Sequence, residues 1–216
     1  MHFLIDDPEE DGGSPPVATV LLVHGAGAAM DSPGMLAIAK ALMEQGLRVV
    51  RFEFGYMAAR REGVRKPPPR ANLLNPEYLE AVEQIRSDFD GPLIIGGKSM
   101  GGRVASMVAD ELHRQGKINA LVCFGYPFHP PEKPGQLRTD HLADLKTPTL
   151  ICQGTRDPFG TWDEVHGYTL SDAIEILWLE DGDHDLKPRK TISGFSAADH
   201  LRTMAEAVAS FAKRVA

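Results

Sequence analysis

Cysteine is scarce in this sequence, which has two such residues, Cys123 and Cys152, among 216. Both lie in short apolar runs that we predict to be buried strands. Two cysteines in such positions do not indicate a disulfide scaffold, and free buried thiols are the simpler expectation. The N-terminal stretch becomes acidic within six residues and lacks the pattern of a signal peptide. Together these features predict a cytoplasmic protein.

Long hydrophobic runs and an excess of positive charge are also missing. No apolar stretch approaches the roughly 20 residues that a membrane-spanning helix needs. The net charge of −7 disfavours nucleic acid as a general partner, although it leaves room for a local basic patch. An apolar fraction of 43% over 216 residues is typical of one globular domain, which we predict to span residues 1–216. The sequence does not determine the oligomeric state.

Apolar runs that predict strands alternate with patterns that predict helices. The predicted strands are His2–Ile5 at an edge, then Val17–Val23, Leu47–Phe54, Leu93–Ile95, Asn119–Phe124, Pro148–Gln153 and Ala173–Leu179. This alternation predicts an α/β fold with a mainly parallel sheet and helices on both faces. Active residues are then expected at the carboxyl ends of the strands.

The connections carry further predictions. Asp6–Pro16 reads as a polar turn, and the segment from Phe124 to Pro148 is too short for a cap domain, which predicts that there is no large lid. Asn75 and Pro76 are predicted to cap a helix, and Ser196 with Asp199 forms a capping box for the last one. Tyr56–Arg70 reads as a basic loop that either overhangs the active site or is solvated and balanced by nearby acids.

The stretch around Ser99 is the most informative part of the chain. Residues 97–101, Gly-Lys-Ser-Met-Gly, fit G-x-S-x-G between a buried strand and a helical pattern, which is the context of a nucleophile elbow. The letters GGKS also resemble the end of a phosphate-binding loop. That interpretation fails, because the position of its first glycine is Pro92 and the intervening residues are the apolar strand itself.

Ser99, Asp157 and His184 follow three predicted strands in the order nucleophile, acid, base. A serine hydroxyl needs a neighbouring base, and a carboxylate is needed to orient that base. Asp157 could instead cap a helix, in which case Asp181 or Asp183 would be the acid. The acidic residues beside His184 also suggest a metal site. The nearby sequence offers no further His or Cys ligand, so we predict no metal and no cofactor.

An acyl-transfer reaction also needs two backbone N–H donors for the developing oxyanion. We predict Met100, directly after the nucleophile, and Ala26, in the turn after the second strand. His24 is expected to hydrogen-bond the backbone of that turn, and Lys98 to point away from the substrate in a salt bridge or in solvent. Four aromatic residues that follow strands are candidates for the substrate pocket: Tyr56, Tyr126, Phe128 and Phe159.

The sequence resembles the α/β-hydrolase superfamily, near its small dienelactone-hydrolase-like members, in four motifs: HGAG at 24–27, GKSMGG at 97–102, QGTRDPF at 153–159 and GDHD at 182–185. A narrower resemblance is to a compact group that includes a testis-expressed protein and a subunit of a chromatin acetyltransferase complex. It rests on FEFGYMAARR at 52–61, GYPFHPP at 125–131 and QGTRDPF at 153–159. The resemblance covers nearly the whole chain from Val17. It implies a single-domain α/β-hydrolase with the Ser99, Asp157 and His184 triad, but no defined substrate.

We therefore predict a serine hydrolase that cleaves a small-molecule carboxylic ester or thioester through an acyl-enzyme on Ser99. Amide or peptide hydrolysis and lactone opening remain open, since the same triad serves all of these reactions. A non-enzymatic interaction module on the same fold is the rival from another class. The intact triad disfavours that rival, because a scaffold has no chemical need for it.

Overall fold

The computed structural model describes residues 1–8 and 15–216, so residues 9–14 of the predicted polar turn Asp6–Pro16 lie outside the described residues. Seven strands form one sheet in the order β1-β3-β2-β4-β5-β6-β7. Strand β1 pairs antiparallel with β3, and every other neighbouring pair is parallel. The strands are β1 Phe3–Asp6, β2 Thr19–Val23, β3 Arg48–Phe52, β4 Leu93–Lys98, β5 Ala120–Phe124, β6 Thr149–Gly154 and β7 Ile174–Leu179. The predicted mainly parallel sheet is confirmed.

Helices cover both faces of this sheet, as predicted. They are α1 Pro33–Met43, α2 Gly55–Arg61, α3 Asn75–Asp88, α4 Met100–Arg114, α5 Trp162–Val165, α6 Lys190–Ser193 and α7 Ala197–Val215. Short 3-10 turns occupy Ala71–Leu74 and Asp140–Leu142. Residues 125–148 contain no other helix or strand, which confirms that no cap domain is inserted there.

Alternation along each strand divides the core into two layers. In β2, Leu21 and Val23 face the layer that holds α3 and α4, whereas Val20 and Leu22 face the layer that holds α1 and α7. The same alternation places Cys123 in the first layer and Cys152 in the second. Both thiols are free and buried, and the sheet separates their side chains.

Two capping predictions have different outcomes. The box at α7 is confirmed, since the Asp199 N–H donates to Ser196 Oγ at 3.2 Å and the Ser196 N–H donates to Asp199 Oδ2 at 2.9 Å. The cap at Asn75 is wrong. Because α3 continues directly from a 3-10 turn, Leu74 takes the cap position and Asn75 already lies in the helix.

The prediction of a basic loop over Tyr56–Arg70 is also wrong in its first half, where α2 forms. Tyr56 and Met57 bury one side of this helix, and its last turn ends in two arginines, which the helix dipole favours. Arg61 bonds to Glu53 at 2.7 Å and to Asp31 at 2.8 Å. Nearby acids therefore balance this part of the basic segment.

Within residues 1–8 and 15–216, no helix has the length and apolar character required to cross a membrane.

Candidate active site

Ser99 sits in the sharp turn between β4 and α4. Its φ of +52° is a strained value for a residue with a side chain, as a nucleophile elbow requires. A Cβ on Gly97 would lie 2.4 Å from the carbonyl carbon of Gly101, and a Cβ on Gly101 would lie 2.5 Å from the carbonyl oxygen of His24. The turn is therefore so tight that both flanking positions require glycine.

Three residues from three strand ends meet at this turn. His184 Nε2 lies 2.8 Å from Ser99 Oγ, and His184 Nδ1 lies 2.8 Å from Asp157 Oδ2. The two alternative acids are occupied elsewhere, since Asp181 pairs with Arg189, and Asp183 accepts the backbone N–H groups of its own loop. The structure thus brings together the serine, histidine and aspartate that the sequence order predicted.

Asp157 is fully buried and surrounded by donors. Its Oδ1 accepts the Phe159 N–H at 2.8 Å, and its Oδ2 accepts Gln153 Nε2 at 3.0 Å in addition to His184. A carboxylate can only accept, so its chemistry matches these three neighbours. Sequence reasoning missed Gln153 as a site residue. Its signal was its place in the QGTRDPF motif, at the end of β6.

His184 is held on two further sides. The Phe159 ring stacks on the imidazole with centroids 4.1 Å apart and an interplanar angle of 30°. Lys98 Nζ donates to the His184 carbonyl oxygen at 2.6 Å and lies 3.5 Å from Asp185 Oδ1. Burial lowers the pKa of Lys98, and Asp185 opposes that shift. The expected salt bridge is present, although Lys98 is largely buried and lines the site.

The turn after β2 passes beside the nucleophile. A Cβ on Gly25 would lie 3.5 Å from Ser99 Cβ. The backbone N–H groups of Ala26 and Met100, the two predicted oxyanion donors, bond to no acceptor in residues 1–8 and 15–216.

His24 hydrogen-bonds the backbone of this turn, as predicted. Its Nδ1 lies 2.6 Å from the Gly25 carbonyl oxygen, and its Nε2 accepts the Phe54 N–H at 3.3 Å. These partners assign the proton to Nδ1. Burial lowers the pKa of His24, which favours the same neutral form.

A cavity of about 500 Å³ opens beside Ser99 and His184. Of the four aromatic residues predicted for its wall, the structure places only Phe159 along it. Tyr126 and Phe128 lie in the core, where the Tyr126 hydroxyl donates to the Arg138 carbonyl. Tyr56 lies under the turn and donates to the Ala26 carbonyl at 3.1 Å. These three aromatics follow strands but turn inward, which a strand-end position does not reveal.

The basic segment does not reach this cavity. Arg60, Arg65, Lys66 and Pro67 line a separate one, so the structure does not support the possibility that they overhang Ser99. Among the described residues there is no group of three or more His, Cys, Asp or Glu side chains arranged to hold a metal.

A second serine and histidine also meet, at Ser106 and His141, with Oγ and Nε2 2.8 Å apart. Ser106 Oγ donates its proton to the Arg103 carbonyl, so His141 must act as the donor rather than as a base. Neither residue lines the cavity beside Ser99, and His141 has no carboxylate partner among the described residues. This pair lacks the parts of a catalytic triad.

A family model described as an alpha/beta hydrolase domain matches residues 16–213. The chain therefore belongs to the α/β-hydrolase family.

Several solved structures share the fold. XC6422 from Xanthomonas campestris, a member of the a/b serine hydrolases without lid, has a TM-score of 0.71 and 20% identity over 98% of this chain and 88% of that one. Est1E from Butyrivibrio proteoclasticus with bound ferulic acid has a TM-score of 0.70 and 16% identity over 99% and 94%. A dienelactone hydrolase from Anabaena variabilis has a TM-score of 0.68 and 20% identity over 99% and 91%. At these identities the likeness shows the fold alone, and the narrower testis-expressed group stays a prediction.

Proposed function

We propose that this protein is a serine hydrolase that cleaves a small-molecule carboxylic ester or thioester through an acyl-enzyme on Ser99. The observation that carries the proposal is the pair of 2.8 Å contacts that joins Ser99 Oγ to His184 and His184 to Asp157. In the first half-reaction, His184 Nε2 removes the hydroxyl proton as Oγ attacks the carbonyl carbon. Asp157 holds the Nδ1–H tautomer and stabilises the imidazolium that forms.

The negative charge of the tetrahedral intermediate needs fixed donors. The free N–H groups of Ala26 and Met100 flank Ser99, and such donors stabilise an oxyanion most when they are already in place. The imidazolium then gives its proton to the leaving group. In the second half-reaction His184 deprotonates a water molecule, which releases the acid and restores the serine.

The proposal admits two classes of leaving group, the alcohol of an ester and the thiol of a thioester. Ester and thioester bonds need less help from a general acid than amides, because alkoxides and thiolates leave more readily than amide nitrogen. The cavity volume of about 500 Å³ is that of a small-ligand site, which favours ester or thioester cleavage over hydrolysis of a long peptide. Lactone opening uses the same steps and remains an alternative reaction of this site.

The test is covalent labelling by a fluorophosphonate, followed by intact mass measurement. We expect one phosphonyl group on the wild type and none on Ser99→Ala. The matched control is Ser106→Ala, which removes the other serine that contacts a histidine and should label like the wild type.

An unlabelled wild type with a normal melting transition would contradict the proposal and favour the non-enzymatic interaction module. If Ser99→Ala is still labelled and Ser106→Ala is not, the nucleophile is Ser106, in the pair that it forms with His141.

A further inference from the structure

The cavity beside Ser99 continues away from the triad between the first two turns of α1 and α7. We call this extension the slot; its walls are Met35, Ala37, Ile38, Leu186, Leu201 and Met204. Pro33 and Gly34, in the first turn of α1, are exposed and lie at its open end. Met35, Ile38 and Met204 are at most 5% exposed and close the other end. The slot is therefore open at the first turn of α1 and closed by buried side chains farther along both helices.

Charge is confined to the end of the cavity near Ser99. Lys98 is engaged by the His184 carbonyl and by Asp185, as described above, and Asp185 is also 3.6 Å from Lys187. His200, the polar residue that α7 contributes to the lining, bonds through Nδ1 to the Leu186 carbonyl at 2.9 Å. No side chain at the closed end carries a polar group other than a thioether. This lining suits hydrocarbon and penalises any charged or polar substituent.

The helices also set the depth. The lining runs from residue 33 to 38 on α1 and from 197 to 204 on α7, which at 1.5 Å per residue is a slot depth of about 8 to 10 Å. An extended alkyl chain advances about 1.3 Å per carbon, so about six to eight carbons fit. The cavity volume of about 500 Å³ lies within the range of small-ligand sites.

A closed pocket suits one arm of the substrate better than the other. The acyl group stays bonded to Ser99 through both half-reactions, whereas the leaving group must depart before water enters. We therefore propose that the slot binds the acyl chain, and that the substrates are esters or thioesters of unbranched fatty acids of about six to eight carbons. This inference rests on the proposed hydrolase function.

The wild-type test is a chain-length series of p-nitrophenyl esters from acetate to dodecanoate. Each buried methylene favours transition-state binding by up to about fourfold. We expect kcat/KM to rise at least tenfold from acetate to octanoate and to fall again at dodecanoate. A flat profile, or one that is highest at acetate, would overturn the slot proposal. So would a clear preference for octyl acetate over ethyl octanoate, because the slot would then hold the alcohol.

A pair of matched variants tests whether the acyl chain lies in the slot. Ala37→Phe places a ring in the slot from a half-buried position, and we expect the ratio of octanoate to acetate kcat/KM to fall at least tenfold. Ala41→Phe makes the same change one turn later on α1, outside the lining, and should leave both rates unchanged. Equal effects of the two variants would overturn the assignment.

If the Phe variants unfold, Met204→Ala provides an independent test through the chain length at which kcat/KM is highest. It lengthens the slot at its closed end and should move the optimum toward longer chains. An unmoved optimum in a folded variant would contradict the proposal. Fluorophosphonate labelling separates the two levels: labelled enzyme with a flat profile refutes only the slot, and unlabelled folded enzyme refutes the hydrolase function itself.

Discussion

Replacing Asp157 by asparagine tests the triad most directly, because the structure predicts how the new amide would orient. With its NH2 group at the Oδ2 position, the amide would face Gln153 Nε2–H and His184 Nδ1–H, which are both donors. With NH2 at the Oδ1 position it would face only the Phe159 N–H. The second orientation leaves one donor unpaired instead of two, so we expect it to be adopted.

The predicted magnitude follows from that orientation. The amide oxygen keeps the hydrogen bond to His184 and preserves its tautomer, so the loss is chiefly the charge beside the imidazolium. Unit charges about 4 Å apart interact by about 4 kcal/mol at an effective dielectric constant near 20. Allowing about 1 kcal/mol for the neutral hydrogen bond that remains, we expect a loss of about 3 kcal/mol. This corresponds to phosphonylation of Ser99 slowed by about 10²-fold to 10³-fold.

The assay is the second-order rate constant of fluorophosphonate labelling, measured by intact mass together with the melting temperature. Asp183→Asn is the matched control, since Asp183 lies beside His184 in sequence but bonds to its own loop; we expect its rate to change less than tenfold. A slowing of Asp157→Asn by less than tenfold would refute the role of Asp157 as the acid. A slowing of 10⁴-fold or more would refute the orientation argument, because it would indicate that the tautomer has flipped.

Three further predictions concern the supports of the site. Lys98→Met keeps the apolar stem but removes the hydrogen bond to the His184 carbonyl. We expect fluorophosphonate labelling to be about tenfold slower and the melting temperature to be lower. An unchanged labelling rate would show that this contact does not position the histidine. Gly97→Ala puts a Cβ 2.4 Å from backbone and should greatly reduce the yield of folded protein, whereas Gly27→Ala, with no atom within 4 Å, should fold like the wild type. Burial lowers the pKa of His24 from its ordinary 6.5, so its contribution to stability is present above about pH 6.5 and is lost as the pH falls. As the pH falls, the unfolded chain takes up a proton at His24 that the folded chain does not. The free energy of unfolding, measured by urea titration, should therefore fall less steeply with pH in His24→Asn, by up to about 1.4 kcal/mol per pH unit. Identical slopes in the wild type and the variant would contradict this account.

Much of the fold follows from local patterns in the sequence. The central parallel strands β2, β4, β5 and β6 are buried on both faces, so they appear as short apolar runs. Ser99, Asp157 and His184 follow the carboxyl ends of β4, β6 and β7. The elbow at Ser99 and the capping box at Ser196 use residue types that few other conformations favour. Those features depend on neighbours within a few positions, which explains why they were predictable.

Other features depend on contacts that sequence order does not encode. The sequence predicts a loop where the seven-residue helix α2 forms, because the stability of this helix comes from burying Tyr56 and Met57 rather than from a long periodic pattern. Asn75 looked like a cap, but a preceding 3-10 turn displaced it into the helix. In both places packing outweighs the local signal.

At the candidate active site, too, some features follow from the sequence and others only from the tertiary structure. The sequence by itself predicted Ser99, Asp157 and His184 in the order nucleophile, acid, base, but it left Asp181 and Asp183 open as alternative acids. The tertiary structure decided that Asp157 is the carboxylate that contacts His184. Only the tertiary structure decided that Gln153 joins the aspartate and that Tyr126 and Phe128 turn into the core. It also created the slot, because α1 and α7 are more than 150 residues apart in the chain and become neighbours only when the sheet brings them to one face.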